Sequence, residues 1–228
     1  MSAVVVAIDG PSGSGKSTLA KRLAKELGFS YLDTGAMYRA LALKMLQHGI
    51  EPEESNRLAA LLRQTEIELR EQEGRLEVLL DGIDVAHLIR TPEVSQMASR
   101  ASARKLVRER MLELQRAAAR KGSIVAEGRD IGTVIFPAAQ VKIYLDATVA
   151  ERARRRFEEL RANGRQVSIE ETVRELSERD RRDSERDLAP LRRAADAVAV
   201  DSSSLTADAV AERVLELVRL RVQENSSK

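Results

Sequence analysis

Residues Gly10 to Thr18 read GPSGSGKST, a full match to GxxxxGK(S/T). The stretch lies between an apolar run, Ala3 to Ile8, and a helix-periodic segment opening near Lys16. A chain carrying it must deliver a strand to a tight turn and leave through the N-terminus of a helix. Gly10, Gly13 and Gly15 permit left-handed or crowded backbone, so that successive N–H groups can point at anionic oxygens from the positive end of that helix. Lys16 adds a mobile point charge. Ser17 and Thr18 both offer hydroxyls, and Ser17, at the last motif position, is the expected Mg²⁺ ligand. A Gly/Ser-rich loop can match such a pattern by chance. Here Leu19, Leu23 and Leu27 follow on one helical face and Gly28 closes it, which is the context the chemistry requires. Gly10, Pro11, Ser12, Gly13, Ser14, Gly15, Lys16, Ser17 and Thr18 are therefore expected to cradle the phosphates of a nucleoside triphosphate.

The 228 residues suit one α/β domain with an insertion. Strand-like runs recur at Val4 to Ile8, Phe29 to Leu32, Ile124 to Ala126, Val141 to Leu145 and Ala197 to Val200, mostly separated by helix-periodic segments. Runs such as VVVAI and VKIYL, apolar with little alternation, suit strands covered on both faces. This predicts a P-loop three-layer fold: a central parallel sheet flanked by helices, with ligands at the carboxyl ends of its strands. From about Ile67 to Ile89 the rhythm changes to IELR, EQEG, RLEVLLDG and IDV, which reads as a small antiparallel β insert. Thr91-Pro92 then starts a long charged helical region reaching about Lys121. A last helix, Thr206 to Val222, is expected to bury Val210, Val214 and Leu217, with 224–228 a frayed tail.

Composition excludes several functions. Cysteine is absent and histidine occurs only at His48 and His87, both read as structural or exposed, so disulfides, thiolate zinc and histidine-cluster metals are out; a reducing, cytoplasmic setting fits. The opening apolar run is too short for a secretory segment, and no stretch approaches the ~20 apolar residues of a membrane span. Thirty-eight basic against 36 acidic residues leave a formal charge of +2, and aromatic residues are 3% with no tryptophan. Neither a backbone-attracting field nor a base-stacking platform is available, which argues against nucleic acid as a partner.

Arginine outnumbers lysine 30 to 8, and every basic residue between Lys142 and Lys228 is arginine. Guanidinium forks bind phosphate oxygens bidentately and stay charged when water is excluded, as phosphoryl transfer demands. Most arginines nonetheless belong to helix-surface pairs with glutamate, such as Glu151 with Arg155. The exceptions are expected in turn-like contexts: Arg39 in LDTGAMYR, Arg129 in AEGRDIGT, and Arg179, Arg181, Arg182 and Arg186 in ERDRRDSERD. No general base is obvious. A hydroxyl acceptor would call for one, whereas an anionic phosphate acceptor would not, so a nucleoside monophosphate is favoured.

Taken in order, GPSGSGKST, LDTGAMYR, IRTPEVSQMAS, AEGRDIGTVIFP, VKIYLDA and ERDRRDSERDLAPL span almost the whole chain and resemble the bacterial-type cytidylate kinases of the P-loop nucleoside monophosphate kinase superfamily. The resemblance implies ATP plus CMP or dCMP giving ADP and the diphosphate, with Mg²⁺. It implies Thr34, Arg39 and Arg129 near the CMP phosphate, and Ser99, Arg108 and Asp130 at the cytosine edge. Arg179 and Asp183 would hold the sugar, and Arg186 would bridge toward the base-reading group or the phosphates. Lys16, Arg129, Arg179 and Arg186 would be the catalytic cations. It further implies a monophosphate-binding insert over 34–120, a helical lid over 151–186 and a core of 1–33, 121–150 and 187–222, in a monomer. Arg156, within the lid's RARRR run, is a candidate ATP ligand, although that run equally suits a solvated face beside Glu158 and Glu159. Glu127 and Asp146 could each orient Mg²⁺ through water; the resemblance favours Glu127, and Asp146 could instead cap the following helix. Asp9 and Asp33 also end strands, without an assigned role. Another P-loop kinase of nucleotides or small molecules is the alternative on the same scaffold. A nucleotide-gated switch or binding protein is the alternative of another class, disfavoured by the absence of an NKxD guanine signature.

Overall fold

The computed structural model describes residues 3–72, 75–162 and 164–226. In chain order the elements are β1 (Val5–Asp9), α1 (Lys16–Leu27), β2 (Ser30–Asp33), α2 (Thr34–Gln47), α3 (Ser55–Arg63), β3 (Ile67–Gln72), β4 (Arg75–Leu80), β5 (Ile83–Asp84), α4 (Pro92–Ala101) and α5 (Lys105–Ala118). They continue with β6 (Ile124–Gly128), β7 (Val141–Asp146), α6 (Val149–Ala162), α7 (Ile169–Glu185), β8 (Val198–Asp201) and α8 (Ala207–Ser226). A 3₁₀ turn follows α5 at Ala119–Lys121, and a π-helical turn follows β6 at Ile131–Ile135. The chain divides into two compact units, Met1–Phe29 with Ser123–Lys228, and Ser30–Gly122.

In the first unit four strands run parallel in the order β6-β1-β7-β8. Val6 faces Val125 on one side and Val141 on the other, and Ile143 faces Val198. Successive strand residues point to opposite faces, yet Val6, Ala7 and Ile8 are all fully buried, so both faces of β1 are covered. Helix α1 packs on β6 and α8, burying Leu19 and Leu23, and ends at left-handed Gly28. Helix α8 buries Val210, Val214 and Val218; Leu217, expected in that stripe, is only half-buried, because the i, i+4, i+8 row lands on Val218. The helix continues to Ser226, so the expected tail is helical up to that residue, and 227–228 lie outside the described residues.

The second unit carries the antiparallel sheet β3-β4-β5. Ile67 pairs with Leu80 and Gln72 with Arg75, while the EQEG turn falls partly outside the described residues. Between β4 and β5, Asp81 and Gly82 both take positive φ, 49° and 84°, the backbone of a two-residue hairpin turn. Asp81 secures it by accepting from the Glu66 amide (2.9 Å) and pairing with the Lys44 ammonium (2.6 Å). Helix α2 packs against β3, β4 and α4, which is why Met37, Leu41 and Met45 are fully buried.

The region expected as one helix from Thr91 to Lys121 is broken. Thr91 caps α4 by accepting from the Val94 amide, with Pro92 in the first turn as read from the sequence. At Ser102 the hydroxyl donates to the Ser99 carbonyl, the amides of Ala103 and Arg104 bond three residues back, and Arg104 is extended (φ −89°, ψ 131°). A local side-chain bond has displaced the helical ladder.

Candidate active site

The glycine loop begins where β1 ends. Gly10 has φ 151°, Gly13 79° and Gly15 93°, the last serving as left-handed N-cap of α1. A Cβ on Gly10 would lie 2.0 Å from the Leu145 carbonyl oxygen, so only glycine fits that crossing. The loop's carbonyls are engaged. Pro11 O accepts from Lys16 Nζ (2.5 Å) and Ser14 Oγ (3.1 Å), Ser12 O from Arg152 Nη1 (3.1 Å), and Ser14 O from the Ser202 hydroxyl (3.1 Å). The peptides of this loop are trans, so the amides of Ser12, Gly13 and Gly15 project opposite to those carbonyls, which is the arrangement that receives an anion. The hydroxyl-bearing Ser17 and Thr18 are exposed.

Lys16 is 6% exposed, and its pKa is lowered to about 7. Burial is the main cause; Arg129 and Arg179 add to it, and Glu127 and Asp9 oppose it. Asp9 accepts from the amides of Ile131 (2.7 Å) and Gly132 (2.8 Å), holding the π-helical turn over the strand ends, and burial pushes its carboxyl up to about 6. Glu127 is buried near the end of β6, in register with Ile8.

Three of the singled-out arginines converge on one carboxylate. Asp183, on α7, accepts from Arg129 Nε at 3.0 Å and lies 4.0 Å from both Arg179 Nε and Arg186 Nη1; Arg186 Nη2 is also 3.7 Å from Asp130. The expected turn-like contexts hold for Arg129 and Arg186 but not for the others. Arg39 lies inside α2, and Arg179, Arg181 and Arg182 lie inside α7, a helix started by the Ser168/Glu171 capping box and sustained to Glu185. Arg181 makes an exposed i,i+4 pair with Glu185 and joins no cluster.

The RARRR run divides between two environments. Arg154 pairs with Glu151 and Glu158, and Arg156 with Glu159 (2.8 Å), as solvated helix pairs. Arg155 pairs with Glu151 as anticipated and also reaches Ser202, while Arg152 is buried. Helix α6 is capped by the Thr148 hydroxyl, which accepts from the Glu151 amide. Asp146, the residue read as a possible cap, instead bonds the amide of Ala147. Sequence reasoning missed Ser202, whose single hydroxyl proton is shared between the carbonyls of Ser14 (3.1 Å) and Asp146 (3.0 Å); nothing local in DSSSL signals that role.

In the second unit Asp33 ends β2, accepts from the Ala36 amide (2.7 Å) as cap of α2, and pairs with Arg39 (3.2 Å) beside buried Thr34. Ser99 and Arg108 flank the break between α4 and α5. Ser102 joins them, donating to Ser99 O (2.8 Å) and accepting from Arg108 Nη1 (3.3 Å) on its own carbonyl. The Ser99 hydroxyl is buried without a protein partner. His48 and His87 are exposed, the former bonding the Lys44 carbonyl.

Among the described residues no group of three or more acidic or histidine side chains could hold a metal by itself, and no helix is long and apolar enough to cross a membrane.

A parallel sheet whose first strand feeds a left-handed glycine loop, a buried loop lysine and an exposed hydroxyl at the helix start defines a P-loop nucleotide-binding protein. The family model described as cytidylate kinase matches residues 6–220. A cytidylate kinase of Geobacter sulfurreducens is 50% identical over 218 residues, 96% of this chain and 94% of that protein. One of Carboxydothermus hydrogenoformans is 48% identical, covering 93% and 96%. A bifunctional pantoate ligase/cytidylate kinase of Synechococcus elongatus is 48% identical over 98% of this chain, which spans 43% of that protein. The chain belongs to the cytidylate kinase family and is a nucleoside monophosphate kinase. A crystal structure of an uncharacterized protein from Eubacterium ventriosum aligns over 95% of this chain and 98% of its own with a TM-score of 0.52 at 12% identity, a likeness of fold alone.

Proposed function

We infer that the chain transfers the γ-phosphoryl group of ATP to CMP and to dCMP, with Mg²⁺, as a monomer in the cytoplasm. The observation that carries this reading is the cationic cluster: Lys16 in the loop, with Arg129, Arg179 and Arg186 fixed around Asp183. Positive charge held in place is what a loose phosphoryl-transfer transition state needs, since charge spreads over the transferred oxygens. A phosphate oxygen of CMP forms the new bond to the γ-phosphorus as the bond to the β,γ-bridging oxygen breaks and ADP leaves. The attacking oxygen is already anionic, so no base has to remove a proton.

The loop amides and Lys16 take the triphosphate. The exposed Ser17 hydroxyl and the buried Glu127 carboxylate fit Mg²⁺, which accepts few protein ligands and completes its shell with phosphates and water. Bound there, Mg²⁺ would neutralise charge on the β- and γ-oxygens. Thr34, Arg39 and Arg129 hold the CMP phosphate, Ser99, Arg108 and Asp130 read cytosine, Arg179 and Asp183 hold the sugar, and Arg186 neutralises phosphate charge. The unpartnered Ser99 hydroxyl supports a ligand at that position, because a buried hydroxyl otherwise costs free energy. The lid over 151–186 excludes water and so limits hydrolysis. Arg156, paired with Glu159 here, reaches ATP only by exchanging that partner.

ADP release measured over a panel of CMP, dCMP, UMP, AMP and GMP tests the reading. Turnover with CMP and dCMP well above the others is expected, and a purine preference would overturn it.

A further inference from the structure

Arg152 is the one arginine of the RARRR run that is buried, at 4% exposure. Its Nε donates to the carbonyl of Ala147 (3.0 Å), just after β7. Its Nη1 donates to the carbonyl of Ser12 in the phosphate loop (3.1 Å) and lies 2.6 Å from Asp180 Oδ2 on α7. One planar group thus joins a strand end, the loop and a helix. Asp180 directly follows Arg179 and lies one helical turn before Asp183, so the helix it anchors carries the arginine cluster. The backbone of Arg152 seats against the loop as well: a Cβ on Gly13 would meet the Arg152 carbonyl at 3.0 Å.

Arg154 and Arg156, in the same run, are spent on glutamates at the surface, which makes the burial of Arg152 a specific arrangement and not a property of the run. Lysine could not replace it, since a point charge on a flexible stem cannot serve two carbonyls and a carboxylate in fixed directions. Each acceptor belongs to the protein, so in this arrangement Arg152 is no phosphate clamp.

We propose that Arg152 is a positioning residue. Through Ser12 and Asp180 it sets the spacing between the phosphate loop and the Arg179–Asp183 turn of α7, and hence the alignment of donor and acceptor phosphates. The inference rests on the kinase reading above and adds to it a residue that touches neither nucleotide.

Arg152→Lys, Asp180→Asn and the double variant test it, with Asp180 21% exposed and its amide isosteric, and with retained helical content checked by circular dichroism. With ATP, Mg²⁺ and CMP, each single variant should lose at least about tenfold in kcat, while both KM values stay within about threefold. The double variant should be no worse than the more damaged single, because both changes cut one link. In the unliganded protein Asp180→Asn should also speed hydrogen exchange at the Ser12 to Gly15 amides by about tenfold. Unchanged kcat, with or without a lower melting temperature, would overturn the proposal. So would a raised KM for ATP at constant kcat, which would make Arg152 a triphosphate ligand, or loop exchange at the wild-type rate. Absence of CMP-dependent turnover in the wild type would instead strike the kinase reading and leave the exchange measurement to decide the link.

Discussion

Arg129 Nε and Asp183 Oδ2 meet at 3.0 Å, and the same carboxylate lies 4.0 Å from Arg179 and Arg186, so one buried anion arranges three guanidinium groups. Burial alone would raise the Asp183 pKa; Arg129, Arg179 and Arg186 outweigh it and bring the carboxyl below its ordinary 3.8. The contribution to stability is therefore complete above pH 3.8 and lost only as pH falls through the lower folded-state value, leaving the cluster intact across the neutral range. Asp183→Asn leaves the arginines facing one another without their anion. It should cost about 3 kcal/mol of stability and about 100-fold in kcat/KM for CMP, read by thermal unfolding and steady-state kinetics. Wild-type CMP kinetics would contradict the role given to this hub.

Burial, with Arg129 and Arg179 nearby, lowers the Lys16 pKa to about 7, and a polyphosphate beside it must raise that value. Below pH 7 the ammonium is already charged and ATP binding is pH-independent in this respect. Above pH 7 binding takes up a proton, so ATP affinity should fall by up to about tenfold per pH unit. Calorimetry at pH 8 in two buffers of different ionisation enthalpy should report close to one proton taken up per ATP, and Lys16→Met should abolish that uptake.

Gly10→Ala would place a methyl 2.0 Å from the Leu145 carbonyl at φ 151°, and backbone cannot move aside as a side chain can. Loss of ATP binding beyond about 100-fold is expected by titration. Gly28→Ala should leave ATP binding intact, since a Cβ there meets nothing within 4 Å, and should cost only the strain of its left-handed φ of 67°.

Ser99→Ala separates recognition from stability. The hydroxyl is buried and has no protein partner, so its removal should leave the melting temperature unchanged or slightly raised. If it meets cytosine, the KM for CMP should rise about tenfold or more with the KM for ATP unchanged. Equal shifts in both would remove Ser99 from base reading.

The loop, the sheet and the pairing Glu151–Arg155 were legible because each follows from local rules: glycine where φ must be positive, unbroken apolar runs for covered strands, i,i+4 spacing for helix pairs. The antiparallel insert over Ile67 to Ile89 was legible from its change of rhythm. The break at Ser102 was not, because a single serine bonding its own helix carbonyl overrides a stretch of good helix formers. Nor were Ser202 and Arg152, whose partners Ser14, Ser12 and Asp180 are distant in sequence. The turn contexts assigned to Arg179 and Arg182 failed because the capping box at Ser168 starts a helix long enough to pass through them.

The most direct test of the account follows the label from γ-labelled ATP in the presence of CMP and Mg²⁺, using the purified protein and its Lys16→Met variant. Label in CDP is expected for the wild type and none for the variant at equal helical content. Label released as free phosphate, or transfer that survives loss of the lysine, would contradict it.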